Sequence, residues 1–235
     1  MDLISHFKKE PWYKSLPAGL QQQIVASGKS VVFSDGQLIY AAGDFSNGFF
    51  GVVSGSVKMV HLTQKGSCAG YYLKQPPSWF GEMAECDGGR RMQNAVAVGN
   101  VKLLHLSHKA FRLIVNENPQ YWEYFALLAA GRIRVMFDFV ESLITCPAPV
   151  RLARALLDVR KTAARASNTA PAITQDELAA MVGVTRQTIS KTLKRLQEEG
   201  VVTLGYRSIE ITDLNGIRRI AALSARRAGQ DVAFL

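Results

Sequence analysis

The sequence predicts an α+β protein in three parts: an antiparallel β-roll of jelly-roll type, one long helix, and a C-terminal pair of short helices backed by two short strands. Three observations carry this. From Lys29 to about Ser107 short apolar runs alternate with turn residues; after Asn118-Pro119 the apolar period becomes helical; and beyond Pro147 and Pro149 two short capped patterns meet at Gly183. The expected boundaries are residues 1–117 for the roll, 118–146 for the helix and a hinge, and 147–235 for the rest.

The totals fit this reading. At 235 residues with 48% hydrophobic content, the chain holds one large or two ordinary globular domains. No run approaches the roughly 18 apolar residues of a membrane span, and MDLISHFKKEPWYKSLP lacks the features of a secretion signal. A cytoplasmic protein without a membrane partner is expected. The +9 charge is uneven: from Pro147 onward 14 Lys and Arg face 8 Asp and Glu, whereas Met1 to Cys146 holds 14 against 11. Such clustering favours a polyanionic partner, although a merely basic soluble surface is the plainer alternative. Cys68, Cys86 and Cys146 form no C-x-x-C pair and have no histidine at zinc spacing, so ordinary thiols are expected.

In the roll, Asp35-Gly36, Gly43-Asp44, Asn47-Gly48, Lys65-Gly66 and Gly99-Asn100 punctuate β-branched and aromatic segments at intervals of roughly 8 to 12 residues, as in a small antiparallel barrel. A barrel of this size can enclose a small ligand. In the long helix, Trp122, Ala126, Ala129, Ile133, Met136, Val140 and Leu143 alternate spacings of four and three, a heptad seam expected to pair with a twin helix in a homodimer. Phe125, Leu128, Phe137 and Phe139 suggest that another face is buried as well. At about 1.5 Å per residue the helix runs about 37 Å. Pro147 and Pro149 then impose a break near Cys146.

Beyond the hinge, RLARALLDVRKTAARAS reads as a helix and SNTAPAI as a polar turn. Thr174 opens the next helix with a T-x-x-E capping box completed by Glu177. Gly183 permits a tight turn, and Thr185 caps a second helix whose Ile189, Leu193 and Leu196 face the core. That leaves Arg186, Gln187, Ser190, Lys191 and Lys194 on the opposite face. Arginine grips guanine O6 and N7, glutamine pairs with adenine N6 and N7, and lysine meets guanine or phosphate. In a helix-turn-helix the first residues of the second helix enter the major groove, where Arg186 and Gln187 stand, and no acid in that first turn repels phosphate. VVTLGYRSIEIT supplies a two-stranded wing carrying Arg207. Thr174, Gln175, Thr185 and Thr188, at the two helix starts, join the expected DNA-contacting set. The tail DLNGIRRIAALSARRAGQDVAFL reads as weakly helical and basic.

GVVSGSVKMV in the roll, WFGEMAECDGGRRMQNA, the long helix, and above all ITQDELAAMVGVTRQTISKTLKRLQEEGVV resemble the CRP/FNR family of bacterial transcription regulators over nearly the whole chain. The resemblance implies a cyclic-nucleotide-binding-like β-roll, a dimerisation helix and a winged helix-turn-helix. It implies double-stranded DNA with a two-fold-repeated site as partner, and RNA polymerase as a further one. It places Arg186, Gln187 and Lys191 where related receptors read bases, with Gln187 replacing the usual acid, so base preference there is expected to differ. In the roll, Gly81 and Glu82 match the family's ribose-binding pair, with Met83 beside them, and Arg91 matches its phosphate-binding arginine. A Gly-Glu pair can equally serve only a turn, and Arg90-Arg91 a solvated loop. Met92 stands where the family has a hydroxyl residue, and Met136 and Phe137 stand where its long helix offers Thr-Ser to adenine. Lost hydroxyls argue against cyclic AMP, at roughly 1 to 3 kcal/mol per unpaired group. The effector is therefore an unidentified small molecule or nucleotide, or none, and its control element is expected around Met136.

No metal, haem or iron-sulfur cluster is expected: the N-terminal cysteine cluster is lacking, and His61, Cys68, His105 and His108 are isolated candidates for haem. The alternatives are a cupin-like metalloenzyme, for which only His61 and His105 lie in expected strands, and a sequence-blind architectural DNA-binding protein. The chain is not expected to be an enzyme.

Overall fold

The structure, a computed structural model, describes residues 2–62, 68–165, 173–205 and 208–223. Lys65-Gly66, most of SNTAPAI, Arg207 and the tail beyond Leu223 lie outside the described residues. The chain divides into two compact units, with the division inside the long helix between Val135 and Met136.

The first unit opens with three short helices, α1 (Leu3–Phe7), α2 (Pro11–Ser15) and α3 (Ala18–Ser27). Asp2 and Glu10 cap the first two through carboxylate oxygens on backbone amides, and Pro11 sits at the start of α2, where its missing N–H costs nothing. The strands are β1 (Lys29–Phe33), β2 (Leu38–Tyr40), β3 (Gly48–Leu62), β4 (Cys68–Lys74), β5 (Trp79–Phe80) and β6 (Asn94–Ser107), with α4 (Glu82–Asp87) before β6. They form one antiparallel system in the order β1-β6-β3-β4, with β2 also on β6 and β5 also on β3. Helix α5 (His108–Glu117) and one 3-10 turn (Pro119–Tyr121) lead to the long helix α6 (Trp122–Thr145).

One expectation fails at Gly99-Asn100, which does not end a strand. β6 runs through it, paired with β3 from Gly48↔Ser107 to Val60↔Asn94, and the register shifts between Val52 and Ser56. Gly55 and Gly99, at φ +78° and +70°, absorb the extra residues as a bulge, and a Cβ on Gly55 would meet the Asn100 carbonyl at 2.5 Å. The glycine was a bend within a ladder, which sequence alone does not separate from a turn.

The helices close one end of the roll with aromatic packing. Phe7, Trp12, Tyr13, Leu20 and Ile24 meet Phe49, Trp79, Phe111, Phe125 and Leu128, all buried. Tyr13 stacks on Trp79 at 5.5 Å, and the Trp12 indole N–H donates to the Tyr124 carbonyl at 2.7 Å. Each such side chain contributes on the order of 1.5–3 kcal/mol. Phe125 and Leu128 thus supply the expected second face of the long helix. Phe137 and Phe139 do not: both are exposed, Phe137 to 70%. Nine and eleven residues beyond Leu128, they lie outside this aromatic core.

The second unit contains the end of α6, then α7 (Ala148–Arg165), α8 (Gln175–Val182), α9 (Arg186–Glu198), the hairpin β7 (Val202–Gly205) and β8 (Ser208–Ile211), and α10 (Leu214–Ala222). Pro149 falls in the first turn of α7, where proline is tolerated, so the break sits at Cys146-Pro147. Leu152, Leu156, Leu178, Val182, Ile189, Leu193, Leu196, Val202 and Ile217 form its core.

Candidate DNA interface and roll pocket

The helix pair is built by its own termini. Thr174 Oγ1 accepts from the Glu177 amide at 3.2 Å while a Glu177 carboxylate oxygen accepts from the Thr174 amide at 2.9 Å, closing the capping box. Gly183 ends α8 at φ +70°, and Thr185 Oγ1 accepts from the Thr188 amide at 3.2 Å to start α9. With Ile189, Leu193 and Leu196 buried, Arg186, Gln187, Lys191 and Lys194 are exposed along the other side, and Thr188 and Ser190 are half-buried beside them. Thr174 and Gln175 are half-buried at the start of α8, and Thr185 is exposed. Arg207 lies outside the described residues.

Asp176 was missed by sequence reasoning. Its carboxylate reaches Arg186 Nη1 at 3.5 Å, with both side chains 68% exposed. The acid comes from the first turn of α8, so inspection of α9 alone does not reveal it. A pair this exposed is weak, and a phosphate or base edge can displace it.

In the roll, Gly81 takes φ +92° at the start of α4, and a Cβ there would meet Arg91 Nη1 at 2.8 Å. The arginine is 4% exposed, which excludes the solvated-loop reading. Its Nη1 donates to the Gly81 carbonyl at 2.8 Å, and its Nη2 donates to Asn47 Oδ1 at 2.9 Å and to the Gly48 carbonyl. The guanidinium lies 4.2 Å over the Tyr40 ring, and its buried Nε has no partner among the described residues. Burial lowers its pKa. Arg90, in contrast, is exposed, donating to the Gly43 carbonyl at 2.7 Å and covering Phe45.

Glu82 is buried and paired. Arg132, from α6, donates through Nε to Glu82 Oε1 at 3.0 Å and through Nη2 to the Trp79 carbonyl at 2.9 Å. Sequence reasoning missed Arg132 too, although it precedes Met136 by one helical turn. Met83 and Met92 are exposed, while Met136 and Phe137 belong to the second unit and are also exposed. A cyclic phosphate would have to replace a carbonyl on Arg91, and a ribose hydroxyl would have to share Glu82 with Arg132. In this arrangement both Arg91 and Glu82 are already engaged by protein partners.

The isolated histidines have other partners. His105 stacks on Phe50 at 4.5 Å with Nε2 3.0 Å from the Asn47 carbonyl, His108 Nδ1 pairs with the buried Glu85 at 2.8 Å, and His61 Nδ1 lies 3.2 Å from the Met92 carbonyl. The surroundings of the Cys68 side chain lie outside what is described.

A roll and long helix joined to a winged helix-turn-helix define a class of DNA-binding transcription regulators. Residues 30–118 match the cyclic nucleotide-binding domain and residues 150–220 the Crp-like helix-turn-helix domain. The chain is 32% identical over 190 residues to the cyclic AMP receptor protein of Thermus thermophilus, covering 81% of this chain and 87% of that one. It is 25% identical over 214 residues to the nitrogen fixation regulation protein FixK of Bradyrhizobium diazoefficiens, covering 88% of each. A solved CRP/FNR-family transcriptional regulator from Thermus thermophilus superposes with a TM-score of 0.67 at 27% identity, over 82% of this chain and 98% of that one. The chain belongs to the CRP/FNR family of DNA-binding transcription regulators. No helix among the described residues is long and apolar enough to cross a membrane.

Proposed function

We propose that the chain acts as a homodimer that presents two copies of α9 to a two-fold-repeated DNA site. Arg186, Gln187 and Lys191 are its base-reading residues, and Thr174, Gln175, Thr185, Thr188, Ser190, Lys194 and Arg207 hold the backbone. The observation that carries this reading is the division of α9 between a buried apolar side and an exposed basic one, with donors at its N-terminal end. The apolar residues Ile133, Met136, Phe137, Val140, Leu143 and Ile144 are exposed on α6, an extent of apolar surface that a lone chain seldom leaves in water. Of these, Ile133, Met136, Val140 and Leu143, with Trp122, Ala126 and Ala129, supply the seam for a second copy. RNA polymerase is the further partner such a regulator would engage.

The effector half of the proposal follows from the roll. With Arg91 bound to three acceptors and Glu82 held by Arg132, the protein does not depend on cyclic AMP. It responds to another effector, or to none. Selection of bound sequences from a random DNA pool, with and without cyclic AMP and cyclic GMP, tests both halves. A two-fold-repeated site recovered equally under all conditions is expected. Sites without two-fold symmetry would overturn the dimer, and enrichment only with a nucleotide would overturn the effector reading.

A further inference from the structure

We infer that Arg151 is a positioning residue that clamps the helix-turn-helix to the end of the long helix, and so determines which half-site spacing the dimer accepts. The inference rests on the dimeric reading proposed above.

The observation lies wholly within the second unit. Pro147 breaks the chain after α6, and Arg151 stands one turn into α7. Its Nη1 donates to the Cys146 carbonyl at 2.7 Å and, at 3.3 Å, to the Leu143 carbonyl, while its Nε donates to the Val182 carbonyl at 2.8 Å. These three carbonyls belong to the C-terminal ends of two helices, α6 and α8. Helix ends leave carbonyls unpaired and carry partial negative charge, so one cation joining two of them satisfies both. A planar guanidinium donates from several nitrogens at fixed positions, whereas the three donors of an ammonium all radiate from one nitrogen.

A second contact ties the same pieces together. A Cβ on Gly183 would lie 2.6 Å from Leu143 Cδ2, so the turn between α8 and α9 is seated directly on the last turn of α6. Gly183 is therefore required for space as well as for its left-handed backbone. Arg154, three residues further along α7, extends the junction: its Nη1 donates to Cys146 Sγ at 3.4 Å and its Nε to the Ala221 carbonyl of α10 at 3.1 Å. The start of α9 follows Gly183 by three residues. Its direction relative to α6 is thus determined by Arg151 and the Leu143–Gly183 seat, not by the Cys146-Pro147 break alone.

In a dimer joined through α6, that direction decides how far apart two recognition helices lie. Adding one base pair between half-sites moves the second by about 3.4 Å and turns it by about one tenth of a helical repeat. A rigid junction penalises this, and a loose one tolerates it.

The test measures binding of wild type, Arg151→Ala and Arg151→Lys to selected operators whose half-sites are moved by one and two base pairs in each direction, and to a single half-site. Wild type is expected to lose about tenfold per displaced base pair, the linked half-sites no longer being engaged together. Both variants should lose about tenfold on the best operator but retain single half-site binding within about twofold, so that their spacing dependence flattens. Variants that keep the wild-type spacing profile overturn the clamp. So does a variant that loses half-site and full-site binding alike, which marks a purely structural role. If wild type itself shows no spacing preference, the dimeric reading fails, and the inference with it.

Discussion

Arg132 Nε donates to Glu82 Oε1 over 3.0 Å, and the same guanidinium reaches the Trp79 carbonyl, so one residue of the long helix is bound to two adjoining points of the roll. Glu82 is buried, and removing Arg132 would take away the cation hydrogen-bonded to its carboxylate. Loss of one partner of such a pair costs about 3–5 kcal/mol, and the upper part of that range does not apply here because Arg132 remains a third exposed. Arg132→Ala should therefore lower the Tm of the roll by several degrees, and adding Glu82→Gln should recover part of the loss. Calorimetry on the two single variants and the double variant checks this. Strictly additive losses would show that the pair is not coupled.

Lys74 offers a pH-dependent stability effect. Burial, reinforced by Arg132, brings its ammonium down to about 7 from 10.5, with Glu82 and Glu10 opposing. Between those values the unfolded chain holds a proton that the folded chain has released, so stability rises with pH across that window. Its cost is complete below about pH 7 and gone by about 10.5. Lys74→Met should raise the Tm at pH 6.5 by a few degrees, about 2–4 °C for each kcal/mol relieved, and the gain should vanish toward pH 10. A gain independent of pH would place the effect in packing.

At the start of the helix pair, Arg186→Ala and Lys191→Ala on α9 and Asp176→Asn on α8 separate specificity from charge. Arg186→Ala should cost about 1–3 kcal/mol and relax discrimination at one base pair. Lys191→Ala should likewise relax discrimination at its own base pair, and the loss of its charge should reduce the salt slope by about one. Asp176→Asn frees Arg186 from its 3.5 Å partner and should tighten binding a few-fold at low salt, with the gain lost at high salt. Anisotropy titrations across salt concentration report all three. An unchanged affinity in Arg186→Ala and Lys191→Ala would remove α9 from the interface.

The exposed apolar seam makes a further prediction. Val140→Glu should place a carboxylate where a twin helix would bury it, at a cost that outweighs the helix pairing, so sedimentation should show monomers. Binding to the two-fold site should fall accordingly, with the thermal transition of the winged unit unchanged. A Val140→Glu protein that sediments as wild type does would refute pairing through this seam.

Much of this molecule is legible in local sequence because the relevant interactions are local. The capping box at Thr174, the cap at Thr185, the Gly183 turn and the apolar positions Ile189, Leu193 and Leu196 lie within a few residues of their partners, and spacing reports them directly. The seam on α6 is equally periodic. The error at Gly99 arose because a bulge and a turn use the same residue for the same backbone reason. The error at Phe137 arose because periodicity locates an apolar face without saying what lies against it.

By itself the sequence determined the roll, the long helix, the hinge and the reading helix, since caps, glycines and periodicity act within one element and are written in adjacent residues. Only the tertiary structure decided how the charged residues are used. Arg91 is held by residues 43, 44 and 10 positions away, Glu82 by Arg132 fifty positions on, and Arg151 by Val182 thirty-one positions on. A guanidinium has the same letter whether it waits for a phosphate or already caps a set of carbonyls. What distinguishes the two is which distant oxygens the fold brings within hydrogen-bonding reach.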